Sequence, residues 1–340
     1  MHPGDAREAR LFVTVHTFFC VSTEPFKIWC HMTSTSVICT MFEKRYSIGV
    51  GALTNSLVAA GFSGTFCIGY RGRLPSWLDQ CTVEVAGERW RVGDLTLHFI
   101  RMETADHFTN HKPQFMLRLF DQVFPQAQRM FYIDPDIVVK CRWDFIEAWT
   151  SDAVSLCADI NTQCPVGHPL RRAWERYYTP HGLRFRQHMN TYVNGGFIGV
   201  SRAHRSLLEE WVRAQEVMAP AIGGLGTAFP KDRTFLFHMT DQDALNAVLD
   251  GTTVPLSIIG QDGMDFIPGG YVLSHAQGRP KPWDKSFIQE ALKGRPPTLP
   301  DKCFWHNVEQ PLRLFTPFTV RCRRLAIKLA SAIGRIYRRT

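Results

Sequence analysis

The chain has 340 residues, 45% of them hydrophobic, with ten cysteines and 39 Lys or Arg against 31 Asp or Glu, a formal charge of +8. That is apolar material for one large α/β domain or two smaller ones and excludes a disordered chain. The cysteines form no close pair at zinc-ligand spacing, and a disulfide framework belongs to smaller secreted domains, so a reducing cytoplasm is the expected compartment.

In chain order, residues 11–21 have the look of a signal-peptide core, but Asp5 and Glu8 stand among the preceding charges and His16 interrupts the run. No stretch reaches the roughly 18 uninterrupted apolar residues that a membrane-spanning helix needs. Residues 1–33 are expected to be an N-terminal extension, with Met32, just ahead of a convincing first strand at 36–40, as an alternative start. A helix is expected over 47–60, where Val50, Leu53, Leu57 and Val58 repeat at helical spacing and Gly61 ends it. Strands follow at 66–70 and 95–101, then a helix over 115–123 with Pro113 near its start. Further strands are expected at 130–133, 153–158, 196–200 and 271–274, with helices over 202–217 and from Asp241 onward. This alternation argues for α/β rather than α+β, in one domain over 34–300 followed by a tail over 301–340.

The strand at 130–133 runs into Asp134-Pro135-Asp136. Residues i and i+2 of a strand share a face, so two carboxylates at that spacing repel and call for a positive partner. Pro135 lacks an N–H and ends the strand at Ile133, which leaves the pair at a strand's carboxyl end, where open α/β sheets bind ligands. Alone, such a pair also fits a turn or a helix cap. Downstream, His275 follows a strand, Gly278 can bring backbone close to an oxyanion, and Lys281 supplies a point charge for phosphate. Asp241 reads equally as a helix N-cap.

Taken in order, Asp134-Pro-Asp136, Asn194-Gly-Gly196, Asp241-Gln242-Asp243 and His275-x-x-Gly278-x-x-Lys281-Pro-Trp283 resemble the family-eight glycosyltransferases, which include glycogenin and bacterial lipopolysaccharide galactosyltransferases, over about residues 34–290. The resemblance implies a GT-A fold, a Rossmann-like mixed sheet flanked by helices, and a retaining transfer from a nucleotide sugar, normally a UDP-sugar, to a glycan or lipid-linked saccharide. It implies Mn²⁺ (or Mg²⁺) held by Asp134, Asp136 and His275, a donor set of two carboxylates and an imidazole that suits such an ion. It further implies diphosphate contacts from Gly278 and Lys281, with Asp241 and Gln242 beside the reacting sugar. Asp159, Asn194 and Gly195 would meet sugar hydroxyls, with an Asx-turn as the other reading of Asp159, and either Lys112 or Arg118 would add a cation. Ile133 and Pro135 would flank the nucleotide. No Asn or Asp follows the first strand where the family holds uridine, so Thr40 and Tyr46 are the candidates there. A sugar-nucleotide-binding protein without transfer activity and a metal-dependent phosphohydrolase are the competing readings.

Residues 321–340 hold seven basic residues and no acid, which leaves 32 basic against 31 acidic in the rest of the chain. Leu325, Leu329, Ile333 and Ile336 recur there at about helical spacing, an amphipathic pattern suited to an anionic membrane surface, so a peripheral position on the cytoplasmic face is expected. A solvated terminal helix is the alternative. Nucleic acid is not expected as a partner, because aromatic residues do not interleave with the basic ones.

Overall fold

A computed structural model describes residues 35–160, 164–232 and 234–337, which fall within one compact unit. The extension over 1–33 and the start at Met32 lie outside the described residues. In chain order the strands are β1 (Ser36–Glu43), β2 (Thr65–Arg71), β3 (Thr82–Val85), β4 (Arg89–Val92), β5 (Leu95–Arg101), β6 (Arg129–Ile133), β7 (Ile137–Val139), β8 (Val154–Ala158), β9 (Val193–Ser201), β10 (Leu256–Ile259) and β11 (Leu273–His275). The helices are α1 (Ser47–Ala59), α2 (Lys112–Arg118), α3 (Trp143–Trp149), α4 (Pro169–Tyr178), α5 (Ser206–Ile222), α6 (Thr240–Gly251), α7 (Phe287–Leu292), α8 (Leu299–His306) and α9 (Pro317–Ile336). The architecture is a mixed α/β sheet flanked by helices.

Nine strands pair in the order β10-β8-β9-β6-β1-β2-β5-β4-β3, and β7 with β11 makes a separate two-stranded ladder. The centre, β6-β1-β2-β5, is parallel, while β9 and the β3–β4 hairpin join antiparallel. From β1 the chain builds outward through β2 to β5, then returns to the other side of β1 as β6. The carboxyl ends of β1 and β6 therefore flank a topological switch point, the position at which open sheets of this kind leave a crevice.

Alternation along β1 sorts the core. Val37, Cys39 and Met41 pack with α2, α5 and α6, whereas Ile38 and Phe42 face α1. The same period in β6 sends Met130 and Tyr132 to the α2 side and Phe131 and Ile133 to the α1 side, so Asp134 continues the row that faces α2. A third cluster, with Trp283, Phe304, Trp305, Val320 and Ile327, joins α1 to α7, α8 and α9.

Several expected boundaries move. The helix expected over 115–123 begins at Lys112 with Pro113 in its first turn and ends in a π-helical turn over Leu119–Val123. The helix expected over 202–217 runs to Ile222 after a 3-10 turn, with Pro220 in its last turn. The last strand holds Leu273–His275 rather than 271–274. Two short segments that lack a long periodic run, β3 and β4, pair as a hairpin that joins the sheet through β4 on β5.

Candidate functional site

The turn after β6 is built by local chemistry. Pro135 occupies its second position, and the Ile137 N–H donates to the Asp134 carbonyl at 3.0 Å, closing the turn. The chain leaves it as β7, whose Ile137 pairs with His275 of β11, and the Ala276 N–H donates to the Asp136 carbonyl at 3.0 Å. That register, rather than any proximity in sequence, brings the His275 imidazole to Asp136, with Nε2 3.4 Å from Oδ1.

On the other flank, the Asp134 N–H donates to the Gly196 carbonyl at 2.7 Å, continuing the β6–β9 ladder. A Cβ on Gly196 would lie 2.8 Å from His275 Cε1 and 3.0 Å from Asp134 Oδ2, so only glycine lets those two groups close over it. Gly49 does the same for the turn from the α1 side, where a Cβ would stand 2.0 Å from the Pro135 carbonyl oxygen.

Asp134, Asp136 and His275 each offer a ligand atom, all within 4.8 Å of one another. His275 is buried, and its Nδ1 has no hydrogen-bond partner. Two carboxylates and an imidazole that close over a glycine fit a divalent cation.

Two lysines answer the repulsion that the Asp-x-Asp spacing creates. Lys112, 3% exposed at its side chain, sets Nζ 2.9 Å from Asp241 Oδ2, 3.3 Å from Asp134 Oδ1 and 2.8 Å from the Gly195 carbonyl. Its burial disfavours the charge, but Asp134 and Asp241 outweigh burial and raise its pKa. Lys281 Nζ pairs with Asp136 Oδ2 and donates to the Ala276 carbonyl at 2.9 Å. Burial opposes the Asp136 charge as well, yet Lys281 and His275 hold this carboxyl well below the usual range.

The residues beside these pairs are placed by α6. Asn246 bonds both the N–H and the carbonyl of Val193, which docks the helix on β9. Gln242 Oε1 then accepts the Gly195 N–H at 2.8 Å. Asp241 is not the N-cap; Met239 holds that position, and the Asp241 carboxylate, in the first turn, faces Lys112. Burial raises the Asp241 pKa against the opposing pull of Lys112. Asp243 points the other way, accepting from the Tyr192 hydroxyl at 2.7 Å and the Met239 N–H at 2.8 Å, and burial pushes it up to about 7.

A cavity of about 870 Å³ opens at this point. Of the residues singled out in the sequence, Tyr46, Lys112, Asp134, Pro135, Asp136, Asn194, Gly195, Asp241, Gln242, His275, Gly278 and Lys281 line it. Four others do not. Thr40 and Ile133 are fully buried in the sheet, and Thr40 Oγ1 has no hydrogen-bond partner. Arg118 is exposed further along α2, on a face that Lys112 does not share. Asp159 sits behind the wall, where it accepts from Asn194 Nδ2 at 2.5 Å and Gln277 Nε2 at 3.2 Å. Asn194 in turn accepts the Gly196 N–H at 2.8 Å, so Asp159 acts on the cavity through Asn194.

The sequence reading missed Phe42, Glu43, Tyr132, His107, Phe229 and Arg279 in the lining. Tyr132 carried a signal, since it stands two residues before Asp134 on the same strand face. His107 and Phe229, 6.3 Å apart in an edge contact, come from two loops and carried none.

No family model matches the chain, and no curated protein matches it in sequence. Solved structures do. The apo structure of the bifunctional glycosyltransferase WbbM aligns at 15% identity and a TM-score of 0.48 over 86% of this chain, which spans about half the length of WbbM, 52%. The galactosyltransferase LgtC in complex with donor and acceptor sugar analogues aligns at 14% identity and a TM-score of 0.49, over 84% of this chain and 99% of LgtC. An active-site mutant of LgtC aligns at 14% identity and a TM-score of 0.47.

Proposed function

We propose that this chain is a metal-dependent retaining glycosyltransferase of GT-A fold that moves a hexose from a nucleotide sugar, a UDP-sugar foremost, to a glycan or lipid-linked saccharide. One observation carries the reading: Asp134, Asp136, His275 and Lys281, drawn from two distant segments, meet in one cavity at the carboxyl edge of the switch point. A divalent cation, Mn²⁺ or Mg²⁺, held by Asp134, Asp136 and His275 would supply Lewis-acid neutralisation of the charge that builds on the departing nucleoside diphosphate.

The chain's own groups do the rest. Lys281 offers the diphosphate a second positive charge, and Gly278, at φ +77°, turns the loop through a conformation that leaves its backbone bare toward the cavity. Tyr46 and Pro135 form the nucleotide end, while Thr40 and Ile133, buried in the sheet, do not reach the cavity. Asn194, held by Asp159, and Gly195 face the donor sugar. Lys112 keeps Asp241 in place beside that sugar, and Gln242, whose amide oxygen accepts the Gly195 N–H, presents a fixed dipole rather than a strong nucleophile to a cationic anomeric centre.

Incubation with UDP-, GDP- and dTDP-hexoses, with and without Mn²⁺, followed by chromatography for released nucleoside diphosphate, tests the reading. Asp136→Asn should abolish the Mn²⁺-dependent release with the fold intact. Binding without release for every donor would favour a sugar-nucleotide-binding protein instead.

The acceptor side of the proposal involves α9. Val320, Ile327 and Ala330 bury one face of this helix, while Phe318, Leu325, Leu329 and Ile336 stand exposed in a second row with Arg321, Lys328 and Arg335 beside it. An apolar row flanked by cations suits an anionic lipid surface, which supports a peripheral position on the cytoplasmic face. Among the described residues no helix is long and apolar enough to cross a membrane.

A further inference from the structure

We infer that Lys281 competes with the divalent cation for Asp136, so that the cation and the nucleoside diphosphate load the site together and neither loads tightly alone. This rests on the metal site proposed above and concerns how that site fills. Both oxygens of Asp136 are engaged by the protein itself, Oδ2 by the Lys281 ammonium and Oδ1 by His275 Nε2 at 3.4 Å. An incoming cation that takes Asp136 as a ligand meets an ammonium already in contact with that carboxylate. Two positive centres on one carboxylate repel, in a setting where Asp136 is 7% and Lys281 10% exposed at the side chain and water screens little.

The charge count points the same way. Asp134, Asp136 and Asp241 carry three negative charges in direct contact with the two ammonium groups of Lys112 and Lys281, which leaves one net negative charge for a divalent ion. A diphosphate changes that balance twice, by adding negative oxygens to the shell and by offering Lys281 another partner. The loop permits the exchange. Beyond Asp136, Lys281 Nζ is held by one backbone carbonyl, that of Ala276, and it lies 5.7 Å from the centre of the Tyr46 ring, along the cavity wall. Lys112 has no such freedom, since it is locked between Asp134, Asp241 and the Gly195 carbonyl.

Coupling of this kind is reciprocal: the factor by which UDP tightens the cation is the factor by which the cation tightens UDP. Removing the ammonium should therefore act in opposite directions on the two, tightening the cation alone and weakening the coupling.

The test is a Mn²⁺ titration followed by the electron paramagnetic resonance signal of the free ion, without and with UDP, on the full chain and on Lys281→Met and Lys281→Arg. The unsubstituted chain should bind Mn²⁺ weakly alone and about tenfold or more tightly with UDP. Lys281→Met should bind Mn²⁺ alone about tenfold more tightly than the unsubstituted chain, with a smaller gain from UDP, and Lys281→Arg should keep the original pattern. If the unsubstituted chain binds Mn²⁺ and Lys281→Met binds it no more tightly, the competition is refuted while the metal site stands. If the unsubstituted chain and both variants ignore Mn²⁺ with and without UDP, the metal site itself is refuted and the competition with it.

Discussion

Lys112→Met removes the ammonium that separates Asp134 from Asp241 while keeping most of the side-chain volume. At an effective dielectric of about 20, unit charges at the observed 2.9 Å and 3.3 Å attract by about 6 and about 5 kcal/mol. Most of that gross attraction is offset by the desolvation of three groups, so the net loss is expected to be about 3–5 kcal/mol, the range for breaking a buried ion pair from one side. The sign of the pH dependence follows from Asp241. Its pKa is already raised by burial against the pull of Lys112, and without that lysine it rises further. A carboxyl whose folded pKa lies above its unfolded value contributes stability that is complete below the unfolded value and lost as pH rises through the folded one. The deficit of Lys112→Met relative to the unsubstituted chain should therefore be smaller at pH 5 than at pH 7.5. Urea denaturation at both pH values reads it directly. A deficit below about 1 kcal/mol, or one that does not change with pH, would refute the view that this lysine neutralises two buried carboxylates.

Asp243, pushed up to about 7 by burial, should cost the fold stability as pH climbs from about 4 to about 7, by about 4 kcal/mol for a shift from 3.8. In Asp243→Asn that slope should vanish, whatever constant offset the lost Tyr192 or Met239 bond adds; parallel curves for both proteins would contradict the assignment. Gly196→Ala puts a methyl 2.8 Å from His275 and 3.0 Å from Asp134, so Mn²⁺ affinity should fall at least about tenfold and stability by about 1–3 kcal/mol, measured by titration and melting. Serine at Phe318, Leu325 and Ile336 together should reduce sedimentation with anionic vesicles and leave the melting temperature within error, since all three side chains are exposed. Equal sedimentation of both proteins would remove the lipid surface as the partner of α9.

Much of the site was legible in the chain because its chemistry is packed into short runs. The strand before Asp134, the turn at Pro135 and the order of carboxylates, glycines, histidine and lysine are properties of neighbours, and local backbone preferences follow from them. Central elements such as β1, β5, β6, α1 and α6 were legible for the same reason, since each has an apolar period long enough to stand out. The short pieces β3, β4, β7 and β10 were not, because each becomes a strand only when a partner completes its hydrogen bonds.

What tertiary structure alone decided was the partner of each charge. Lys112 precedes the helix expected over 115–123 and Arg118 lies within it, and the sequence left either as the added cation. The row from Tyr132 to Asp134 faces the start of α2, which makes Lys112 the buried partner and leaves Arg118 exposed. Asp159 read as a sugar contact, but it lies behind the cavity wall and bonds Asn194, because β8 and β9 bring the two together. His275 stands 139 positions from Asp136 in the sequence, and the β7–β11 register brings it to 3.4 Å. The sequence by itself determined which groups are available and the local turns that present them. Which group meets which depends on strand order and register, set by pairing and burial across the whole sheet, and no local period encodes that.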